Sequence, residues 1–192
     1  MSATQIEFNA KAYFEYYVKH TSNVVLAWSI IRDFLIEERV INENELEKIN
    51  NLVVWHDNSK INLDEFSAYA LRFYPCVGKL DEKNQKLIKN NFKKACKIHK
   101  KSNLHHHETL KNYQGKDLIC YVIEMICDWI AMGWETDFTA LQYYEMKKEE
   151  LELPKATRQT VEKILELINK KNSTVYEPKT EKEKIRLWIR KI

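Results

Sequence analysis

Residues 116–133, KDLICYVIEMICDWIAMG, form the most apolar stretch of the chain and indicate its fold class. Apolar side chains recur in it three and four positions apart, the spacing of a buried α-helix, and Gly133 is predicted to end that helix. The chain has 192 residues but only 3 Gly and 3 Pro, where average usage gives roughly 23 of the two together. Because β folds need Gly and Pro at many tight turns, the sequence predicts an all-α protein.

Helical periodicity continues on both sides of this stretch. No internal repeat or linker divides the sequence, so residues 1–192 are expected to form a single-domain helical bundle with its core at about 10–168. Asn42 or Asn44 and Asp81 are predicted N-caps, and residues 56–62 are a polar junction. The other predicted helices lie at about 9–20, 22–39, 44–55, 63–74, 82–101, 137–150 and 155–171, and the basic tail 181–192 is expected to be a docked terminal helix.

Targeting signals and cysteine usage predict a cytoplasmic protein. The first residues contain no basic region followed by an apolar core, so no signal peptide is expected. The longest apolar run, Val24–Ile31, is far shorter than the ~20 residues of a membrane-spanning helix, so no membrane association is expected. The 4 Cys show no zinc-type spacing, and because three of them lie among apolar helical residues, reduced core thiols are expected.

Lysines are concentrated in one predicted helix although the net charge is only +3. The lysines at helical spacing are Lys86, Lys89, Lys93, Lys97 and Lys100. Such a stripe is typical of a solvated helix face, and the alternative is that it attracts phosphate-bearing ligands.

Asp128 is the residue of the apolar stretch that most needs an explanation. It interrupts a run of isoleucine and valine, and Glu124 lies one helical turn before it. A carboxylate in such a place is unfavourable unless it is paired or binds a metal ion.

Histidines and acidic residues elsewhere in the chain favour the metal explanation when they are taken together. Each of these residues alone has a simpler explanation, since a histidine on an apolar helix face is usually a hydrogen-bonded core residue. Imidazole and carboxylate donors around one site suit Zn, Fe, Mn and similar ions, and facing helices of a bundle build such sites. His99 is expected to share a core-facing surface with Leu87, Phe92, Ala95 and Cys96. The candidate residues are His20, His56-Asp57, His99, the triplet 105–107 and Asp128.

The order His, His-Asp, His, His, Asp resembles the HD-domain superfamily of all-helical metal-dependent phosphohydrolases. More closely, residues 10–168 resemble a family of short phage and bacterial proteins classed as a domain of unknown function. The matching segments are Tyr16–His20, His56–Lys60 with Glu65 and Tyr69, Asn103–His106, Glu124–Trp129 with Gly133, and Tyr144–Ile164.

The resemblance implies a set of metal ligands and one or two divalent ions, with Mn, Fe, Zn, Co and Mg not distinguished. The implied ligands of the primary ion are His20, His56, Asp57 and Asp128. His99 and either His105 or His106 occupy the positions at which binuclear HD-domain proteins have further histidines that bind a second ion.

The resemblance also implies catalytic roles. Lys60 matches the Lys of the His-Asp-x-x-Lys variant, where it lies beside substrate phosphate, whereas the nucleotidase variant has a catalytic Glu there. Glu65 or Glu124 is therefore expected to supply the acid–base carboxylate. Asp57 is expected to orient a water that a bound ion activates, and Asn103 and His106 to contact substrate with Lys60.

The function expected from these features is hydrolysis of a nucleotide or other small phosphate ester. The sequence has no Gly-rich phosphate loop, so metal and Lys60 would hold the phosphate. Three alternatives stay open: an HD-type di-iron oxygenase, a non-catalytic phosphate- or nucleotide-binding protein, and a nucleic-acid-binding module that uses the lysine stripe. Aromatic residues expected in the core rather than stacked on a base are Trp28, Trp55, Trp129, Tyr69 and Tyr74.

Overall fold

The structure is a computed structural model that describes residues 7–76, 80–136 and 138–172. These ranges contain eight α-helices and no β-strand beyond an isolated bridge between Phe8 and Pro75, so the predicted all-α class is confirmed. The helices are α1 Ala10–Glu37, α2 Glu43–Val54, α3 Leu63–Phe73, α4 Glu82–Ser102, α5 His107–Leu110, α6 Leu118–Thr136, α7 Ala140–Lys147 and α8 Lys155–Asn172, and a short 3-10 helix spans Asn58–Ile61.

One long helix replaces the two that the sequence predicted at 9–20 and 22–39. The predicted break at Thr21 was wrong, because Thr and Ser only weakly disfavour a helix interior and neither Gly nor Pro lies nearby. α1 ends where Arg39 takes a left-handed backbone conformation, with φ of 55°. The amide of Val40 donates to the carbonyl of Leu35, as in a Schellman cap.

Gly133 does not end α6, which continues to Thr136, so that prediction was also wrong. The reason is that Gly133 serves a close backbone approach instead of a left-handed cap. A Cβ at this position would lie 2.1 Å from the carbonyl oxygen of Phe138. Glycine is therefore required here so that the chain after α6 can pack against the helix.

Two predicted N-caps are confirmed. The side chain of Asn42 accepts from the amides of Asn44 and Glu45, and the Glu45 carboxylate accepts from the backbone amide of Asn42. This capping box fixes the start of α2. Asp81 accepts from the amide of Asn84 and begins α4.

The described residues form two compact units. The first, which we call the α3–α4 unit, consists of the described residues up to Lys19 and of Asp57–Leu104. The second, the α6 unit, consists of His20–His56 and the described residues from His105 onwards. That residues 1–192 form one domain stays a prediction, and the tail 181–192 lies outside the described residues. No helix among the described residues is long and apolar enough to span a membrane.

The α6 unit has α6 at its centre. α6 packs against α2, α7 and α8, and its side chains at Ile123 and Ile126 are fully buried. Burying side chains of this size contributes about 1.5–3 kcal/mol each. Residues of α1 from Val24 to Leu35 complete the same core. The stretch that indicated the fold class is therefore also the core of this unit.

The α3–α4 unit has an aromatic core. α3 packs against α4, and the rings of Tyr13 and Phe66 meet edge to face with centroids 5.0 Å apart. Ile88, Ala95 and His99 form the buried side of α4. Leu87, expected on that side, is 52% exposed because it lies one position, about 100°, from Ile88.

Candidate metal site

Helix periodicity carries His56 into the core of the α6 unit. Ile49, Val53 and His56 are all buried and lie four and three positions apart, so His56 extends the buried face of α2 by one turn. In the same way, His20 lies on the buried face of α1 that continues with Val24 and Ala27. Both histidines are therefore held by packed helices.

His20, His56 and Asp128 present three donor atoms to one another. The Nε2 atom of His20 lies 3.2 Å from Oδ1 of Asp128, and Nε2 of His56 lies 3.7 Å from the same oxygen. Ligand atoms of the three residues lie within 4.8 Å of one another. The Asp128 side chain is 21% exposed, whereas the His20 and His56 side chains are 3% and 0% exposed. The group is thus buried on its imidazole side and reaches solvent at its carboxylate.

Glu124 lies on the other side of the His56 ring. Its Oε1 atom is 3.1 Å from Nδ1 of His56 and 3.2 Å from Nδ1 of His105. The rings of His56 and His105 have centroids 4.5 Å apart. We call His20, His56, His105, Glu124 and Asp128 the His56 cluster, and its members His56, His105 and Glu124 also meet the distance requirement of a metal-binding group.

Neighbouring imidazoles lower the pKa of both carboxylates of the His56 cluster. Burial by itself would raise the pKa of Asp128, but the imidazoles of His20 and His56 beside it hold it well below its usual range. The pKa of Glu124 is lowered as well, since His105 and His56 beside it outweigh its burial. The cluster therefore combines two carboxylate charges with imidazole nitrogens, a donor set that attracts a divalent cation.

Asp57 follows His56 in the chain and belongs to the α3–α4 unit. Its backbone is left-handed, with φ of 55°, which is unusual outside glycine. A left-handed conformation costs roughly 1–2 kcal/mol for most residues, and Asp tolerates it better than they do. The buried Asp57 carboxylate is thus fixed in a turn between α2 and the short 3-10 helix.

His99 connects two buried carboxylates of the α3–α4 unit. Its Nε2 atom lies 3.1 Å from Oδ1 of Asp57, and its Nδ1 atom lies 2.9 Å from Oε2 of Glu65. The other oxygen of Asp57 lies 2.5 Å from the ammonium of Lys60. The Lys60 ammonium also lies over the ring of Tyr69, 5.5 Å from its centroid. Imidazole and ammonium groups thus stabilise both carboxylates.

Ser59 and Asn103 complete this second group. The amide of Asn103 donates to Oγ of Ser59 at 2.8 Å and to the backbone carbonyl of His99 at 2.8 Å. Ser59 Oγ lies 3.1 Å from Nδ1 of His99. Sequence reasoning missed Ser59, although it lies two positions after Asp57. We call Asp57, Ser59, Lys60, Glu65, His99 and Asn103 the His99 cluster.

The structure thus places every predicted site residue in one of the two units. His105 is the buried member of the histidine triplet, whereas His106 and His107 are half-buried, and His106 is the N-cap residue of α5. The roles assigned to these residues, including Asn103 and His106 as substrate contacts, stay predictions.

The aromatic residues mostly confirm the expected core positions. Trp28, Trp129 and Tyr69 are buried, and Tyr74 is partly buried against the core of the α3–α4 unit. Trp55 was wrongly expected in the core and is 66% exposed. Trp55 is the C-cap residue of α2. It lies between the buried positions 53 and 56, so its side chain points outward.

The lysine stripe of α4 is confirmed as a solvent-facing feature. Lys86, Lys89, Lys93 and Lys97 are exposed, and Lys100 is partly exposed. The opposite side of α4 carries the buried His99. This arrangement favours a solvated helix face and separates the stripe from the His99 cluster on the same helix.

Comparison with known proteins gives a family for the chain. No curated protein and no solved structure matches it. The match is to a family described as "Family of unknown function (DUF5662)" and extends over residues 9–167. Most of the chain, including every residue of the two histidine clusters, lies inside this range. The chain therefore belongs to the DUF5662 family.

Proposed function

We propose that the chain is a metal-dependent phosphohydrolase that acts on a nucleotide or other small phosphate ester. The observation that supports this most is the donor set of His20, His56 and Asp128 in the core of the α6 unit. Catalytic zinc sites commonly use two imidazoles and one carboxylate and leave a further position open for water or substrate. The partial exposure of Asp128 is consistent with such an open position.

The donor set fits a divalent ion on chemical grounds. Two nitrogens and one carboxylate oxygen suit Zn, Mn, Fe or Co, and an ion would balance carboxylates whose nearest partners are imidazoles. In this proposal His20, His56 and Asp128 hold the ion. A bound ion would supply Lewis-acid chemistry, lowering the pKa of a bound water towards about 7 and polarising phosphoryl oxygen.

Residues of the chain itself supply the other parts of the proposed reaction. The ammonium of Lys60 is fixed by Asp57 and 15% exposed, which suits a positive charge that stabilises phosphoryl oxygens. The Asp57 carboxylate is fixed by the ammonium of Lys60, so it keeps one orientation. We assign Lys60 to phosphate binding and Asp57 to orientation of the attacking water.

One observation favours a second candidate, oxygen activation by iron. Two histidines and one carboxylate are also the ligand set of non-haem Fe(II) oxygenases. The donor atoms alone do not distinguish the two reactions, so the metal and the reaction must be measured together.

The test supplies the metal-free chain with Mn, Fe, Zn, Co or Mg and measures phosphate release from a panel of nucleotides and sugar phosphates. We expect release with at least one ion and its loss in Asp128→Asn. The matched control is Asp33→Asn, since Asp33 is a 59%-exposed residue of the same unit. Phosphate release retained in Asp128→Asn would contradict the proposal. Oxygen consumption with Fe and no phosphate release with any ion would favour the oxygenase.

A further inference from the structure

Glu124 is a buried carboxylate that lies beside two histidines. It is 4% exposed and lies four residues before Asp128, on the same face of α6. One of its oxygens, Oε1, is hydrogen-bonded to Nδ1 of His56 at 3.1 Å and lies 3.2 Å from Nδ1 of His105. A carboxylate in an apolar helix is stable only if such donors satisfy it.

Hydrogen-bond chemistry determines which atom carries the proton in these contacts. A carboxyl group has at most one proton, so it donates to at most one of the two imidazoles, and an ionised carboxylate donates to neither. The contact between His56 and Oε1 is best satisfied when Nδ1 of His56 carries the hydrogen and Glu124 accepts it. Bonds of this charge-assisted kind are about twice as strong as neutral ones.

The consequence for His56 lies at its opposite ring nitrogen. Nε2 of His56 faces Asp128, whose Oδ1 lies 3.7 Å away. When Nδ1 carries the hydrogen of a neutral imidazole, Nε2 has the free lone pair that a metal requires. A hydrogen-bond partner that fixes the tautomer in this way also fixes the ring orientation.

We propose that Glu124 is a positioning residue that holds His56 in the Nδ1–H tautomer, so that Nε2 of His56 is presented to a divalent ion. This inference rests on the proposed function, because it takes His56 to be a metal ligand. It gives Glu124 a role different from the acid–base role expected from the sequence. It also separates the two carboxylates of α6, with Asp128 as a ligand and Glu124 as the residue that orients the ligand.

The first test uses the wild-type chain without metal. Nitrogen NMR of histidine-labelled protein distinguishes the two neutral tautomers, and single His→Gln variants assign the signals of the 6 histidines. We expect the Nδ1–H form for His56. The Nε2–H form at His56 would overturn the proposal. This measurement needs no metal, so it is independent of whether the proposed function is correct.

The second test compares Glu124→Gln with Glu108→Gln. Glu108 is a matched control because it also contacts a histidine, His107 at 3.3 Å, but is 31% exposed. We expect Glu124→Gln to weaken Zn²⁺ binding by about 10–100-fold with the number of bound ions unchanged. Glu108→Gln should bind as the wild type does.

Two results of this comparison would overturn the proposal. Unchanged Zn²⁺ affinity in Glu124→Gln would show that Glu124 does not position a ligand. Loss of one bound ion would show that Glu124 is itself a ligand. Far-ultraviolet circular dichroism shows whether Glu124→Gln folds. If it does not fold, the histidine tautomers of the wild type decide whether the proposal holds. Nδ1–H tautomers in a chain that binds no ion would contradict the proposed function and leave the tautomer assignment standing.

Discussion

The His56 cluster and the His99 cluster use similar residues but balance their charges differently. In the His99 cluster the ammonium of Lys60 lies 2.5 Å from Asp57, so a permanent cation of the protein balances one of two buried carboxylates. In the His56 cluster the closest partners of Glu124 and Asp128 are imidazoles, which are cationic only when protonated. The comparison indicates that the His56 cluster gains more from an external divalent ion.

The largest expected effect is the loss of metal binding when a ligand of the His56 cluster is removed. His20→Ala removes a nitrogen 3.2 Å from Asp128. We expect Zn²⁺ affinity to fall by more than the about 10–100-fold that follows loss of an outer-shell partner. His99→Ala should reduce it less, because Lys60 still balances Asp57. Calorimetric titration measures the Zn²⁺ affinity of both variants. A larger loss of affinity in His99→Ala than in His20→Ala would contradict the conclusion that the His56 cluster gains more from an ion.

The second prediction concerns the lysine that distinguishes the His99 cluster. Lys60→Met leaves the buried Asp57 without its ammonium partner. Breaking a buried pair by removing one member costs about 3–5 kcal/mol, so the free energy of unfolding in urea should fall by an amount of that order. Lys94→Met, at an exposed position of α4, is the control and should change it little. Equal stability of the two variants would show that Lys60 does not balance Asp57.

A smaller effect is expected at Glu65, which accepts from Nδ1 of His99 as Glu124 does from His56. Glu65 is 1% exposed, and its Oε2 atom lies 2.9 Å from that nitrogen. Glu65→Gln should lower the free energy of unfolding by about 1–3 kcal/mol, the range for a disturbed buried hydrogen bond. Urea unfolding of Glu65→Gln and the wild type measures this difference, and equal stability of the two proteins would contradict the assigned bond.

A pH-dependent effect is expected for a thiol in the core of the α6 unit. Burial raises the pKa of Cys120 to about 11. Because the folded state keeps this proton longer than the unfolded state, stability falls as the pH rises above the unfolded value of about 8.5 and towards 11. We expect this alkaline loss to be smaller in Cys120→Ala, as urea unfolding at pH 8 and pH 10.5 would show. An identical loss in both proteins would contradict the assigned pKa.

Reactivity with a thiol reagent at pH 8 gives an independent check of how the thiols are buried. The exposed Cys76 should react first, and the buried Cys120 and Cys127 last. Rapid labelling of Cys127, which adjoins Asp128, would show that water enters the core beside the His56 cluster more freely than the structure indicates.

Periodicity and side-chain chemistry were enough to predict much of the fold. The helix at 116–133 and the caps at Asn42 and Asp81 follow from local spacing and from short polar side chains before apolar runs. The helix ends predicted at Thr21 and Gly133 were wrong, because local spacing does not determine where these helices end. Tertiary packing continues a helix through weak breakers, and the tight approach of Phe138 that requires Gly133 is not visible in the sequence.

The candidate site was predictable in its residues but not in its contacts. His56 and Asp128 stood out because polar groups on apolar helix faces need partners. Which member of the triplet is buried depends on the loop that leads into α5, and His105 could not be chosen beforehand. The contacts of Ser59 with His99 and of Glu124 with His56 join residues far apart in sequence, so local spacing gives no signal for them.

The most direct test of the central claim is the visible absorption spectrum of the chain loaded with Co²⁺, a probe for zinc-type sites that is sensitive to the coordinating atoms. We predict that metal-free wild type gains saturable cobalt bands with at least one ion per chain. Asp128→Asn should lose those bands, and Asp33→Asn, which alters an exposed carboxylate of the same unit, should keep them. Absence of saturable bands in the wild type, or their full retention in Asp128→Asn, would contradict the account.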